Sequence, residues 1–340
     1  MAARAFITGL AGLEISATER AFLREAQPWG LIIFKRNVST PDQLTALVAS
    51  FRGIVGRQAP VLIDQEGGRV QRLGPPHWPA YPPGAAYGAL YDREPAVGLA
   101  TARLGGHLIA ADLKALGIDV DCLPLADVPV AAGDPIIGDR AYGTEPAKVA
   151  AVAGAVADGL LAGGVLPVLK HLPGHGRATA DSHLKLPVVD TDRGTLERTD
   201  FAAFRPLAQL PLGMTAHVVF SAIDPVAPAT TSVTMVREVI RGFIGFEGAL
   251  MSDDVSMGAL SGSIAERSRA ALAAGCDLVL HCNGDLAEMT AVAGATPILS
   301  GEAARRCEAA LSQRRTPDDF DVEAARALFN ETLAQRKLVS

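Results

Sequence analysis

Eight short, mostly aliphatic runs alternate along the chain with longer stretches of helical spacing. The runs predicted to be strands are residues 5–8, 31–34, 61–64, 120–124, 166–170, 214–217, 249–253 and 278–281. The helical patterns between them include residues 44–54, 96–116, 146–161, 196–207, 233–244 and 264–274. Such alternation favours parallel strands, and eight repeats predict an α/β fold, a single (β/α)8 TIM-type barrel. A doubly wound open sheet is the alternative, because the number of strands does not establish closure.

Length and composition fit one such unit. A chain of 340 residues is long for one simple core, but α/β barrels occupy that length as a single domain. Hydrophobic residues make up 49% of the chain and charged residues 20%, which excludes a disordered protein. No Ser/Gly linker interrupts the chain, so residues 1–340 are predicted to form one barrel domain. Residues 74–84 are interpreted as a long loop, and 322–338 as an outer C-terminal helix near 320–338.

Charge and cysteine content restrict the partners and the compartment. The net charge is −6, and a nucleic acid or an anionic membrane would attract a basic protein, so neither is expected as a partner. No apolar run reaches the ~18 residues of a spanning helix. Residues 6–13 are interpreted as the first strand and its turn rather than a signal peptide. The four cysteines form no CxxC pair, which indicates reduced thiols in a cytoplasmic protein. As a separate expectation, the protein is a monomer.

Polar side chains of types that can act in catalysis or ligand binding follow the predicted strands. They are Asp64, Gln65, Glu66, Asp127, Lys170, His171, His217, Asp253, Asp254 and His281. The carboxyl ends of parallel barrel strands share one face, where the active sites of this fold are built. The sequence therefore predicts a functional site at that face.

The segment KHLPGHG, which begins at Lys170, is followed by Asp181, Ser182 and His183. Asp181 and His183 are close enough in a loop to pair, and the carboxylate would fix the imidazole tautomer and favour its protonated form as a proton donor. The glycines in the segment predict a loop that moves. The same histidines and aspartates are also metal-ligand types, and a polar structural loop is the third interpretation.

Two neighbouring aspartates, Asp253 and Asp254, come at the end of the seventh predicted strand. Because side chains alternate along a strand, only one of them is expected to face the barrel mouth. A carboxylate there can act as a nucleophile, a base or a metal ligand, whereas the other one could cap the next helix.

Two further segments combine acids and bases around glycines: residues 64–72, DQEGGRVQR, and residues 138–143, GDRAYG. They could hold a polyhydroxylated ligand through bidentate hydrogen bonds, or they could be salt-bridged turns. No GxGxxG sequence leads from a strand into a helix, and no GxxxxGK[ST] sequence occurs. A nucleotide is therefore not expected, and we expect no cofactor.

These strings occur in a definite order: DQEGGRV from Asp64, GDRAYG from Gly138, KHLPGHG with DSH from Lys170, and MSDDVSM from Met251. Together they resemble the family 3 glycoside hydrolases, in particular the bacterial β-N-acetylglucosaminidases (β-hexosaminidases) of peptidoglycan recycling. The resemblance runs from the first strand to the helix after the last string. Within that family the pattern KHxPGHGxxxxDSH marks the acetylhexosaminidases.

The resemblance implies a retaining enzyme that removes terminal non-reducing N-acetylglucosamine from small carbohydrate substrates, the anhydromuropeptides, without a metal or cofactor. It makes Asp253 the nucleophile of a covalent glycosyl-aspartate intermediate, His183 the general acid/base and Asp181 the partner that orients it. The residues implied to bind the sugar in the terminal subsite are Asp64, Arg72, Arg140, Lys170 and His171. Most retaining glycosidases use two carboxylates. A histidine as the proton donor is therefore unusual, and it is expected here only because of the resemblance.

Three alternatives stay open at this point. A histidine places less negative charge beside an incoming anion than a carboxylate does, so phosphate could replace water in a phosphorolytic variant. A metal-dependent hydrolase could use the His/Asp cluster. A sugar-binding barrel without catalysis is disfavoured, because Asp181, His183 and Asp253 are all present.

Overall fold

The computed structural model describes residues 3–337, the last three of them as backbone only. Its barrel strands are β1 Arg4–Thr8, β2 Pro28–Ile33, β3 Val61–Ile63, β4 Val120–Asp121, β5 Leu166–Leu172, β6 Leu212–Thr215, β7 Ala249–Asp254 and β8 Leu278–His281. They are parallel and close into a ring in the order β1-β8-β7-β6-β5-β4-β3-β2. The predicted (β/α)8 barrel is therefore confirmed, and the open sheet is excluded.

Helices surround this barrel. They are α1 Ala17–Ala26, α2 Pro41–Val55, α3 Gly84–Arg93, α4 Pro95–Ala115, α5 Pro146–Ala162, α6 Arg193–Arg198, α7 Ile264–Ala274, α8 Leu286–Ala295, α9 Gly301–Ser312 and α10 Val322–Lys337. Several begin at a capping side chain, as where the Ser16 and Ser263 hydroxyls each accept a hydrogen bond from the amide three residues later. The predicted outer helix is α10, in which Arg326 pairs with Asp112 of α4 at 2.8 Å. Its last predicted residue, Leu338, lies outside the described residues.

Two predicted helices differ from the expected α-helical form. Residues 196–207 contain the end of α6 and two 3₁₀ turns, Phe201–Ala203 and Arg205–Leu207. Pro206 has no amide hydrogen and disfavours the helical conformation of the residue before it, so an α-helix cannot run through this segment. The segment Met235–Phe243 is π-helical, and the amide of Ile244 after it bonds to the Val239 carbonyl five residues earlier.

Apolar side chains fill the barrel and the space between barrel and helices. Ile7, Leu62 and Leu280 are among the buried residues of the barrel interior, whereas Val279 packs outside against the helices. This alternation follows from the twofold repeat of a strand. None of the helices described within residues 3–337 combines the length and apolar character needed to cross a bilayer.

Candidate active site

A cavity of about 270 Å³ opens at the carboxyl ends of the barrel strands. Seven of the eight residues proposed above for the site line it: Asp64, Arg72, Arg140, Lys170, His171, His183 and Asp253. The eighth, Asp181, is hydrogen-bonded to His183. The closed barrel thus brings together side chains that the sequence places on several different loops.

One wall of the cavity is a charged network centred on Lys170, at the end of β5. The Lys170 ammonium contacts Asp64 at 3.1 Å and Glu66 at 2.6 Å. Arg72 donates to the second oxygen of Asp64 at 2.8 Å. Arg140 binds both oxygens of Glu66, at 2.8 and 2.9 Å. The network is therefore fixed by ion pairs between β5 and the loops after β3 and β4.

All members of this network whose pKa shifts are resolved stay charged at neutral pH. Burial by itself raises the pKa of Asp64, but Lys170 and Arg72 outweigh it and hold the pKa below its ordinary value. The pKa of Glu66 is likewise lowered, because Lys170 and Arg140 outweigh the effect of burial. The two carboxylates in turn outweigh burial at Lys170 and raise its pKa. Charged donors and acceptors in fixed positions suit the hydroxyl groups of a sugar.

Replacing Lys170 by methionine is expected to destabilise the protein by about 3–5 kcal/mol at pH 7, because it leaves buried carboxylates without their cation. The loss should shrink as the pH falls below about 4, the pKa of the two carboxyl groups in the unfolded chain. Asp64 and Glu66 have lowered pKa values when folded, so they stabilise the wild type above their unfolded pKa, and this contribution disappears on acidification. Denaturant unfolding of both proteins at several pH values measures this difference.

The matched control is Lys148→Met. Lys148 pairs with Asp92 at 2.6 Å; the Lys148 side chain is 14% exposed, but the Asp92 side chain is 62% exposed, so removing the lysine leaves a solvated carboxylate. An ion pair with a solvated partner contributes at most about 1 kcal/mol, and methionine can keep the packing of the lysine stem, so this variant should unfold nearly like the wild type at every pH. Equal losses in the two variants would contradict the role assigned to the buried network.

His171 is oriented from behind by a buried carboxylate. Its Nδ1 lies 2.7 Å from Oδ2 of Asp127, which is fully buried in the loop after β4. The other oxygen of Asp127 accepts from the amides of His171 and His175, at 3.3 and 2.7 Å. Burial raises the pKa of Asp127, but the His171 imidazole outweighs it and the pKa lies below its ordinary value. Asp127 thus fixes the ring of His171, and Nε2 is the nitrogen available to a ligand.

Asp181 and His183 form a hydrogen-bonded pair at the rim of the cavity. The carboxylate contacts His183 Nδ1 at 2.7 Å and accepts from the His183 amide at 2.9 Å. The pKa of Asp181 is lowered because these two hydrogen bonds outweigh its partial burial. The His183 side chain is 60% exposed, in contrast to the buried network described above. The pair can therefore carry a proton at the edge where a leaving group would reach solvent.

Asp253, at the end of β7, is held ionised inside the cavity. The amide of Asp254 donates to its Oδ1 at 2.8 Å. Burial raises the pKa of Asp253, but the imidazoles of His217 and His171, together with that amide, outweigh it and lower the pKa. An ionised, partly dehydrated carboxylate of this kind can attack an electrophilic carbon.

The expectation that only one of the two neighbouring aspartates faces the mouth is wrong, since both line the cavity. The register between β7 and β8 shifts between Met251 and Asp254, and a bulge of this kind interrupts the alternation of side chains. The carboxylate of Asp254 is nevertheless engaged. It accepts from the Ser256 hydroxyl at 2.7 Å, the Ser256 amide at 2.9 Å and the Cys282 amide at 3.2 Å.

Sequence reasoning had assigned no role to two of the residues that build this site. Glu66 was one acid among several in its loop, and its bidentate partner Arg140 is 74 residues away. Asp127 was one of the polar residues after the strands, but nothing in its spacing indicated His171 as its partner. His281, also expected on this face, turns away from the cavity and bonds to Glu288 of α8 at 3.0 Å.

Comparison with known proteins agrees with the geometry. The model of the glycosyl hydrolase family 3 N-terminal domain matches residues 5–312. A β-hexosaminidase from Alkalilimnicola ehrlichii is 44% identical over 283 residues, which are 81% of this chain and 79% of that protein. The chain belongs to glycosyl hydrolase family 3. It is thus a glycoside hydrolase, as the resemblance implied.

Solved structures of β-N-acetylglucosaminidases of family 3 are similar to this chain. NagZ from Neisseria gonorrhoeae, in complex with N-trifluoroacetyl-D-glucosamine, is 30% identical with a TM-score of 0.84, over 98% of this chain and 97% of that one. A family 3 β-N-acetylglucosaminidase from Paenibacillus sp. FPU-7 is 31% identical with a TM-score of 0.84, over 93% of this chain and 62% of the longer one. The resemblance to the β-N-acetylglucosaminidase branch of family 3 is therefore confirmed.

The interpretation of the His/Asp cluster as a metal centre finds no support in the geometry. Within the described part of the chain, no group of three or more His, Cys, Asp or Glu side chains is arranged to hold a metal ion. The carboxylates and imidazoles near the cavity are instead engaged with one another, as in the pairs His171–Asp127 and His183–Asp181.

Proposed function

We propose that this protein is a retaining exo-β-N-acetylglucosaminidase that acts through a covalent glycosyl-aspartate. One observation carries the proposal: an ionised carboxylate, Asp253, and an Asp-oriented imidazole, His183, line the same cavity. Retention requires a nucleophile on one face of the sugar and a proton donor at the leaving oxygen. The family relatives named β-hexosaminidase and β-N-acetylglucosaminidase support the choice of an acetamido sugar.

The charged network is proposed to hold the terminal sugar. Asp64 and Glu66 can accept hydrogen bonds from hydroxyl groups, while Lys170, Arg72 and Arg140 can donate them. Each of these groups already has a fixed partner, so little side-chain freedom is lost when the substrate binds. In this way the network positions the anomeric carbon over Asp253.

In the first step, a carboxylate oxygen of Asp253 attacks the anomeric carbon as the bond to the leaving oxygen breaks. His183 gives its Nε2 proton to that oxygen, and Asp181 at Nδ1 stabilises the protonated imidazole beforehand. The products are the glycosyl-aspartate ester and the free aglycone alcohol. His183 is left neutral and is ready to act as a base.

In the second step, neutral His183 removes a proton from water, which attacks the anomeric carbon and releases Asp253. The two inversions together retain the β configuration. Phosphate is an alternative acceptor at this step, because an imidazole repels an incoming anion less than a carboxylate does. Sugar phosphate among the products, formed at the expense of free sugar, would identify phosphorolysis.

The proposed natural substrates are N-acetylglucosaminyl-anhydromuropeptides, as the resemblance to the peptidoglycan-recycling enzymes implies. We place the reaction in the cytoplasm, supported by four cysteines that are all free and buried. We further propose one barrel domain with α10 as its outer helix, acting as a monomer. Size-exclusion chromatography with light scattering tests the monomer.

The deciding experiment compares nitrophenyl β-N-acetylglucosaminide with nitrophenyl β-glucoside, side by side, with EDTA present. We expect rapid release of nitrophenol from the acetamido sugar only, because relatives of this chain are named β-hexosaminidase and β-N-acetylglucosaminidase. Proton NMR of the first sugar product should show the β anomer. Cleavage of neither glycoside, with activity restored by a metal ion, would favour the metal-dependent hydrolase instead, and inactivity throughout would favour a sugar-binding barrel.

A further inference from the structure

His175 and Ser182 form a buried pair in the KHLPGHG…DSH segment that the reaction above does not use. His175 Nε2 lies 3.0 Å from the Ser182 hydroxyl, and each residue is only 3% exposed. Ser182 stands between Asp181 and His183 in the sequence, so this bond connects the exposed proton-transfer pair to the interior. Its neighbour His183 is exposed, and so is Leu184 after it, at 78%.

His175 is itself fixed to Asp127, the buried carboxylate behind His171. Its amide donates to Asp127 at 2.7 Å, and the same carboxylate holds the ring of His171. A continuous series of hydrogen bonds therefore leads from His171 through Asp127 and His175 to Ser182. Because Asp127 is fully buried, this end of the series is rigid relative to the barrel.

Two backbone hydrogen bonds also hold the segment around Ser182. The Ala259 amide donates to the Ser182 carbonyl at 3.2 Å, and the Gly258 amide donates to the His183 carbonyl at 3.1 Å. Both amides belong to the loop after β7, which carries Asp253. These bonds tie the segment to the loop that follows the strand of Asp253, and the His175–Ser182 bond ties it to Asp127 and His171.

The His175–Ser182 bond does not depend on charge. Burial, together with the nearby His171, lowers the pKa of His175 to about 4, so its ring is neutral at neutral pH. A neutral imidazole nitrogen can either donate to a hydroxyl or accept from it, so the bond is available in both tautomers. The ring therefore adds a fixed contact without placing another positive charge beside His183.

We propose that the hydrogen bond between His175 and Ser182 holds the Asp181–His183 pair in the position from which it transfers protons. Ser182 and His175 are thus positioning residues, whereas His183 is the catalytic group. This inference rests on the proposed function, since it requires His183 to be the general acid/base. It assigns a specific task to His175, which neither transfers the proton nor attacks the sugar.

The test is Ser182→Ala, measured on nitrophenyl β-N-acetylglucosaminide and on N,N′-diacetylchitobiose. We expect kcat/KM on the disaccharide to fall about 10- to 100-fold more than on the aryl glycoside, because only the sugar leaving group depends on a well-placed proton. The KM for the aryl glycoside should hardly change. Ser182→Thr, which keeps the hydroxyl, should restore most of the lost disaccharide activity.

A double-mutant cycle separates positioning from general destabilisation. In the His183→Ala background, adding Ser182→Ala should change disaccharide cleavage by less than about twofold, because the group that Ser182 positions is already gone. His175→Phe, which keeps a ring of similar shape, should reproduce the leaving-group dependence of Ser182→Ala. The matched control is Thr179→Ala, an exposed hydroxyl in the same loop, which should leave both activities unchanged.

Two outcomes would overturn the inference. Equal losses on both substrates would assign Ser182 a structural role only, and additive losses in the double mutant would show that it acts independently of His183. A failure of the proposed function would look different. The His183→Ala variant by itself would then lose activity equally on both substrates, or lose it on neither.

Discussion

Asp253→Asn is expected to lower kcat by on the order of 10⁴-fold or more on aryl and disaccharide substrates alike. The amide cannot form the glycosyl ester, and both substrates share this step. Its shape and its hydrogen bond from the Asp254 amide can be retained, so the loss should come without a large change in folding stability. Steady-state rates on both substrates, with thermal unfolding recorded in parallel, measure the effect.

Asp254→Asn is the matched control for this prediction. Asp254 also lines the cavity, but its oxygens accept hydrogen bonds from Ser256 and from the Cys282 amide. Losing one such bond costs about 1 kcal/mol, which corresponds to an activity loss of no more than about tenfold. If Asp254→Asn were inactive while Asp253→Asn turned over, the nucleophile would have to be reassigned to Asp254.

A second variant tests the nucleophile by its product. Asp253→Ala leaves space beside the anomeric carbon, and added azide can enter it and attack the sugar directly. A single displacement inverts the configuration, so we expect an α-glycosyl azide from the aryl glycoside. Azide that leaves the variant inactive, or yields a β-glycosyl azide, would contradict the role of Asp253.

His183→Ala is expected to reduce disaccharide cleavage by about 10²–10⁴-fold, the usual contribution of a general acid. The first step on a nitrophenyl glycoside should be much less affected, because nitrophenolate leaves without a proton. Since removal of a proton from water would also be slow, the glycosyl-enzyme should accumulate and produce a burst of nitrophenol. Rapid-mixing kinetics on the aryl glycoside, next to steady-state rates on the disaccharide, give both values.

The control for this variant is His77→Ala, since His77 is exposed and contacts Trp78 away from the cavity lining. It should leave both activities unchanged. If His183→Ala lost activity equally on aryl and disaccharide substrates and showed no burst, the acid/base role would have to move to another group.

The architecture of this protein could be predicted from local patterns. A short, continuous apolar run indicates a strand that is buried on both faces. The run at 278–281, for example, coincides with β8. Eight such runs separated by helices leave few arrangements, of which the closed barrel was the prediction and the open sheet the alternative. The concentration of acids, bases and histidines after the strands then indicated the face that carries the cavity.

The pairing of side chains across the cavity could not be predicted in this way. Lys170 meets Asp64 across 106 positions of sequence, and Arg140 meets Glu66 across 74. Local periodicity contains no information on such pairs, since they depend on which loops the closed barrel brings into contact. The expected alternation at Asp253 and Asp254 failed for a related reason: the register shift at the end of β7 depends on its pairing with β8.

By itself, then, the sequence determined the alternation of eight strands with helices, the face that carries the site, and the residue types available there. Tertiary structure alone decided that Asp127 stands behind His171 and that His175 reaches Ser182. It also decided that His281 turns toward α8. The physical reason is one of range: burial and backbone preference act over a few neighbouring residues, whereas hydrogen-bond partners in a closed barrel are set by the whole ring of strands.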